Sequence, residues 1–447
     1  MKLKEIFKNN DALIAFFILE SLAITSFCLG AINVLFYCLG ICLFLLSLLT
    51  SFKKFEKREF LSILIFVLPI FLMSVFLSFG NLFQGQTLSN LLLCLGINCF
   101  VLLGISSRKI KEIKPETVLL TIGFSIALLL FISLFATWIN YGFFYAEIYK
   151  DTPLYYYDAN MFDVTKECSW LVGFSIKEVS LDYASSFATL LTAYFVPLFF
   201  IKPKENLKKF LMYLSIGLVG LVFLLTIPNF KALIFVGFIF IGGLLFRFYK
   251  GGKRPIIITL IVLASLAFIF FILVLLNNGN ESFGSFIADN AFLNRIFNSN
   301  RIMINVNVIL KEALQSRNFL GFANSNVYYE TEKAIFTNTK MFEFELVKEG
   351  GLISLFFLII FVLVFTFAFI KYVENSKDDK FVKALLMCLI FGFLLYSTFE
   401  FTSFPIIHES TNYQAFFRSP LTLVVLFLMG FCFTPFLTKK EASVDEK

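Results

Sequence analysis

A chain of 447 residues that is 59% hydrophobic and only 15% charged cannot hide its apolar side chains in one soluble core. Ordinary globular domains are nearer half apolar and a quarter charged. The net charge is +7, but the cations sit in short loops between apolar runs. That distribution predicts membrane topology and excludes nucleic acid as a partner. Eight cysteines without a CxxC spacing and a single histidine argue against a disulfide framework and against a protein-built zinc site.

The chain opens with Lys2, Lys4 and Lys8 ahead of an apolar run. That run contains Glu20 and ends without a small-residue cleavage site, so it is expected to stay as a first helix and not be removed as a signal peptide. Apolar runs of this kind recur near 11–29, 32–50, 60–79, 88–105, 117–140, 179–201, 210–228, 232–248, 256–276, 352–370, 382–401 and 421–437. Each is long enough to cross ~30 Å of hydrocarbon at a rise of about 1.5 Å per residue. The expected fold is therefore all-α: a polytopic membrane bundle of about twelve transmembrane helices, one domain over 1–447, with surface helices in a long external loop.

The loops test that count. Three cations lie at the N-terminus, four in each of the loops 52–59, 106–116, 202–209, 247–255 and 371–383, and three in the tail. Together they hold 26 of the 38 Lys and Arg, and twelve crossings put all seven segments on one side. Cation-rich loops stay cytoplasmic, so both termini are expected in the cytoplasm, as in a bacterial inner membrane. The long loops 142–178 and 277–351 then lie outside. The second carries an amphipathic stretch, Arg301–Arg317, whose Ile302, Val306, Ile309, Ala313 and Leu314 recur at helical spacing. A helix resting in the membrane surface is the simple reading.

With that orientation, polar chemistry collects on the external face. Asp182, with Ser185 and Ser186, falls in the outer half of span six, and Lys231 at the outer end of span eight. The 277–351 loop adds Arg295, Arg301, Arg317 and Lys340, with Glu343, Glu345 and Glu349 close behind; His408 follows span eleven. Charges near hydrocarbon are costly unless paired or lining a wet cavity, which makes each a functional candidate. Each also has a plain reading. Lys231 can snorkel at a helix end. Arg301 and Arg317 can form the solvated face of a surface helix, and His408 can be an ordinary loop residue. Glu343 and Glu345 cannot both enter one cavity if helical, because residues two apart diverge.

Three segments together resemble the bacterial O-antigen polymerase and O-antigen ligase superfamily. They are Ser180–Phe200, Leu224–Phe238 with Lys231 and Ala232 at the family's Arg and Ala positions, and an outer loop in which Arg301, Ala313, Leu320–Asn326 and Glu349-Gly-Gly-Leu352 follow in order. The resemblance covers roughly 180–370 as a pattern. It implies a glycosyltransferase that uses an undecaprenyl-diphosphate-linked oligosaccharide, works among membrane lipids, and acts with a chain-length regulator protein. Ligases carry a His-Asn pair before the Glu-x-Gly segment, and Lys340-Met341 stands there instead. The resemblance therefore favours a polymerase, with a ligase as the alternative and a lipid-linked glycan flippase or other twelve-span transporter beyond it.

The chemistry can be argued from the residues as well. A sugar hydroxyl must attack an anomeric carbon while a lipid diphosphate departs. With no cofactor and no metal expected, fixed cations must stabilise the leaving charge, and Lys231 and Arg301 are the expected pair. Arg295, Arg317, Lys340, Asp182 and His408 are expected to bind substrate. A carboxylate, Glu343 or Glu345, is expected to act as general base.

Overall fold

The computed structural model describes residues 56–80, 101–141 apart from 103, 106 and 110–112, then 181–226, 230–249, 252–290, 327–329, 334–336, 342–399 and 420–437. The described chain is helical apart from one short pair of strands. In chain order the helices are α1 (Lys57–Gly80), a helical stretch within 101–109, α2 (Pro115–Tyr141), α3 (Leu181–Thr192), α4 (Leu207–Thr226), α5 (Phe230–Phe248), α6 (Arg254–Gly279), α7 (Glu281–Asp289), α8 (Phe342–Asn375), α9 (Lys380–Phe399) and α10 (Pro420–Leu437). Strands β1 (Val327–Tyr329) and β2 (Ala334–Phe336) pair antiparallel, with Tyr328 opposite Ile335.

Nine of the expected spans coincide with described helices. Spans 11–29 and 32–50 lie outside the described residues, and span 88–105 is described only from residue 101. Among the described residues two segments are long and apolar enough to cross a membrane, Leu207–Leu224 within α4 and Gly350–Asn375 within α8. The helices are apolar around much of their circumference. On α8, Phe361, Phe365 and Phe369 are buried while Phe356, Ile359, Leu363 and Phe367 are exposed. On α6, Ile261, Val262, Phe268 and Ile269 are exposed as well. Outward faces of this kind need an apolar surrounding, and the chain is a membrane-associated one.

The core forms where helices cross. Helix α1 lies along α8, α3 along α4, α5 along α9, and α8 also packs on α10. Phe66 of α1 stacks on Phe433 of α10, with centroids 4.2 Å apart and planes 8° from parallel. A close backbone approach joins the 101–109 stretch to α10. A Cβ built on Gly104 would fall 2.0 Å from the Phe427 carbonyl oxygen, and one built on Gly430 would fall 2.0 Å from that of Val101. Each helix thus offers a glycine to the other's backbone, as small-residue membrane interfaces do. After Thr192 the chain tightens into a 3-10 helix, Ala193–Phe199, containing Pro197. Proline has no N–H and crowds the carbonyl four residues back, so an α-helix cannot run through this point undisturbed.

One end of the bundle is tied by ions. Lys109 pairs with Glu59, and Arg108 with Asp378 at 2.6 Å. Lys209 pairs with Glu116 at 2.7 Å, and Lys253 with Glu374 at 2.9 Å. These contacts connect all five internal loops whose cation content predicts a common side. Arg108 also lies over the rings of Tyr372 and Phe431, and the Tyr372 hydroxyl donates to Asp378 at 2.7 Å. Lys383 donates to the Val373 and Ser376 carbonyls, capping the negative end of α8.

Helix α8 divides at the expected loop boundary. The sequence reading ends the loop at 351, but residues 342–350 are already helical. Gly351, with φ 71° and ψ 179°, breaks the helical path there. That conformation is open essentially to glycine alone. The buried Ser354 hydroxyl donates to the Gly350 carbonyl at 2.8 Å, occupying an acceptor beside the break. The leading segment and the membrane-length segment of α8 are therefore two helices meeting at a joint. Helix α7 also falls inside the expected loop, capped by Asn280, whose side chain accepts from the Phe283 N–H at 3.2 Å.

Candidate functional site

The four expected site residues that are described all stand in the first turn of a helix. Asp182 is the second residue of α3, Lys231 the second of α5, and Glu343 and Glu345 the second and fourth of α8. Helices α3, α5 and α8 each run from these residues toward the ion-paired loops. All three starts therefore lie at the opposite end of the bundle. Arg295, Arg301, Arg317, Lys340 and His408, together with the amphipathic stretch 301–317, lie outside the described residues.

Helix electrostatics separates the four. The start of an α-helix carries partial positive charge, because its first backbone N–H groups have no intrahelical acceptor. Asp182, Glu343 and Glu345 are favoured there by about 0.3–1 kcal/mol each, which is reason enough for carboxylates at those positions. Lys231 has the wrong sign for its place and is disfavoured by a similar amount. A bound anion at this helix start would offset that cost, since negative charge is favoured at the orphan amides. Lys231 is thus the residue whose position helix stability does not explain.

Two-residue spacing sets the positions of Glu343 and Glu345 roughly 200° apart around the helix axis. Glu343 is half-buried, and its Oε2 is out of contact with solvent. The leading segment that carries it is anchored by Leu346 and Val347, both buried. Gly351 sets the direction of that segment relative to the membrane-length part of α8, so it positions Glu343 indirectly. The paired glycines ahead of span ten are a signal that could have marked Gly351 as a site of special backbone, whereas nothing in the sequence marks Ser354. Among the described residues no group of three or more His, Cys, Asp or Glu side chains gathers in a way that could hold a metal ion.

No protein-family model, curated protein or solved structure matches the chain.

Proposed function

We propose that this chain is a membrane glycosyltransferase of the O-antigen polymerase type. It joins undecaprenyl-diphosphate-linked repeat units at the outer face of a bacterial inner membrane, which it crosses about twelve times with both termini in the cytoplasm. The observation that carries the reading is the place of Lys231. It is a cation in the first turn of α5, at the bundle end remote from the ion-paired, cation-rich loops. A diphosphate leaving group fits that electrostatic setting.

In the proposed reaction a hydroxyl oxygen of the acceptor sugar bonds to the anomeric carbon of the donor. The bond from that carbon to the diphosphate oxygen breaks, and its electron pair leaves with the lipid diphosphate. Lys231 and Arg301 stabilise the departing charge. Glu343 takes the hydroxyl proton in this reading, because its carboxylate is partly withdrawn from solvent. Arg295, Arg317, Lys340, Asp182 and His408 belong to the binding surface in this reading. The ligase alternative lacks its His-Asn pair, since Lys340-Met341 occupies that place.

The test is complementation of a deletion strain. A polymerase mutant makes lipopolysaccharide bearing a single repeat unit, a ligase mutant bears none, and a flippase mutant retains lipid-linked units at the cytoplasmic face. Lys231→Ala should cut polymer tenfold or more at equal protein level, as loss of a charge-assisted phosphate contact costs roughly 1.5–3 kcal/mol. Lys231→Arg should retain activity. Glu343→Gln should abolish polymer, while His408→Ala should keep most of it. Wild-type ladders from Lys231→Ala would remove the central residue and sink the proposal.

A further inference from the structure

Near the ion-paired end, an open groove of about 420 Å³ runs along α2, with Met212 of α4 on its far side. Its lining is graded. Lys114, Glu116 and Thr117 stand at the mouth, level with the loops, while Leu120, Phe124 and Leu128 follow deeper along the helix. Glu116 is neutralised by Lys209, which approaches both its carboxylate oxygens at 2.7 and 2.8 Å. Lys114 is exposed, and no ion pair engages it among the described residues. Among the described residues the mouth therefore carries one uncompensated positive charge. Beyond it, exposed Phe124, Leu128 and Phe131 continue the apolar track toward the middle of the bundle.

We infer that this groove holds one anionic phospholipid, with its phosphate at Lys114 and Thr117 and an acyl chain along Leu120, Phe124 and Leu128. The charge pattern selects the occupant. A phosphodiester of one negative charge complements Lys114, whereas a purely apolar helix would leave the ammonium and the Thr117 hydroxyl facing it unused. The polar-to-apolar order along the groove also matches the order of a lipid from headgroup to chain. The inference does not depend on the proposed polymerase activity, because the groove lies at the bundle end away from Lys231 and Glu343.

Native mass spectrometry on the full chain, released from nanodiscs of equal phosphatidylglycerol and phosphatidylethanolamine, tests it. One phosphatidylglycerol should stay bound in preference to phosphatidylethanolamine. Lys114→Gln should lower that preference about five-fold, the usual effect of one basic residue at an anionic membrane surface. Lys114 is exposed, so this variant should fold. Equal retention of the two lipids by the wild type, or an unchanged preference in Lys114→Gln, would overturn the inference. A Thr121→Cys probe addresses protein occupants. Disulfide-linked dimers would show a second copy in the groove, and cross-links to cysteines engineered within 11–50 would show the chain's own first spans there. Either result would also overturn it.

Discussion

Gly430→Ala should force apart the helices that meet at Gly104 and Gly430. The added Cβ would lie 2.0 Å from the Val101 oxygen, 2.8 Å from its carbonyl carbon and 3.1 Å from its Cα. All three are backbone atoms, so no side chain can swing aside. Ordinary contact begins at 3.4 Å, and the helices must part by at least about 1 Å. Overpacking of this kind costs about 1–3 kcal/mol. Gly104→Ala meets the Phe427 oxygen at the same 2.0 Å and the Phe431 nitrogen at 2.7 Å, so its cost should be similar. Because one separation relieves both clashes, the double variant should cost little more than either single one. That implies a coupling of roughly 1 kcal/mol or more, opposing additivity. Unfolding in mixed micelles with rising SDS, followed by helical circular dichroism, measures all four corners of the cycle. Additive costs, or two single variants as stable as the parent, would refute the close-approach argument.

Gly351→Ala should lose about 1–3 kcal/mol of stability, because φ 71° with ψ 179° is strained for any L side chain. Ser354→Ala should lose nearer 1 kcal/mol in the same assay, as it removes only the hydroxyl donated to Gly350. Asp378→Asn should cost roughly 2–3 kcal/mol, below the 3–5 of a fully buried pair, since its bond with Arg108 is about 15% exposed on each side. A swap placing Asp at 108 and Arg at 378 should recover part of that loss, read as a rise in unfolding midpoint over Asp378→Asn.

Helix positions were legible because long apolar runs leave few alternatives in a membrane protein, and the boundaries of α1, α2, α5, α9 and α10 fall within a few residues of expectation. The leading segment of α8 was missed because Glu343, Glu345 and Glu349 beside two glycines look like a surface loop. Glutamate, leucine and lysine are nonetheless good helix formers, and the helical path survives as far as Gly351. Helix α7 was readable in principle, as Asn280 followed by Glu281 is a helix-start signal, but nine residues containing Gly284 give weak periodicity. Ion pairs such as Arg108 with Asp378 join residues 270 positions apart, and such pairing is set by packing that no local pattern encodes. Of the candidate site, sequence order located Lys231 at a helix start. The electrostatic cost of that place became arguable only once the helix bounds were known.

The joint at Gly351 also bears on membrane thickness. The segment Gly350–Asn375 has 26 residues, about 39 Å of helix, against ~30 Å of hydrocarbon. A helix that long leans in the bilayer or extends into the headgroups, and its lean changes as the membrane thins or thickens. A continuous helix would carry that lean upward and swing whatever stood on its end. Here the chain changes direction at the joint, and Leu346 and Val347 hold the leading segment to the protein core. The height of Glu343 is then set by the packing of its own short segment and not by the axis of the long one.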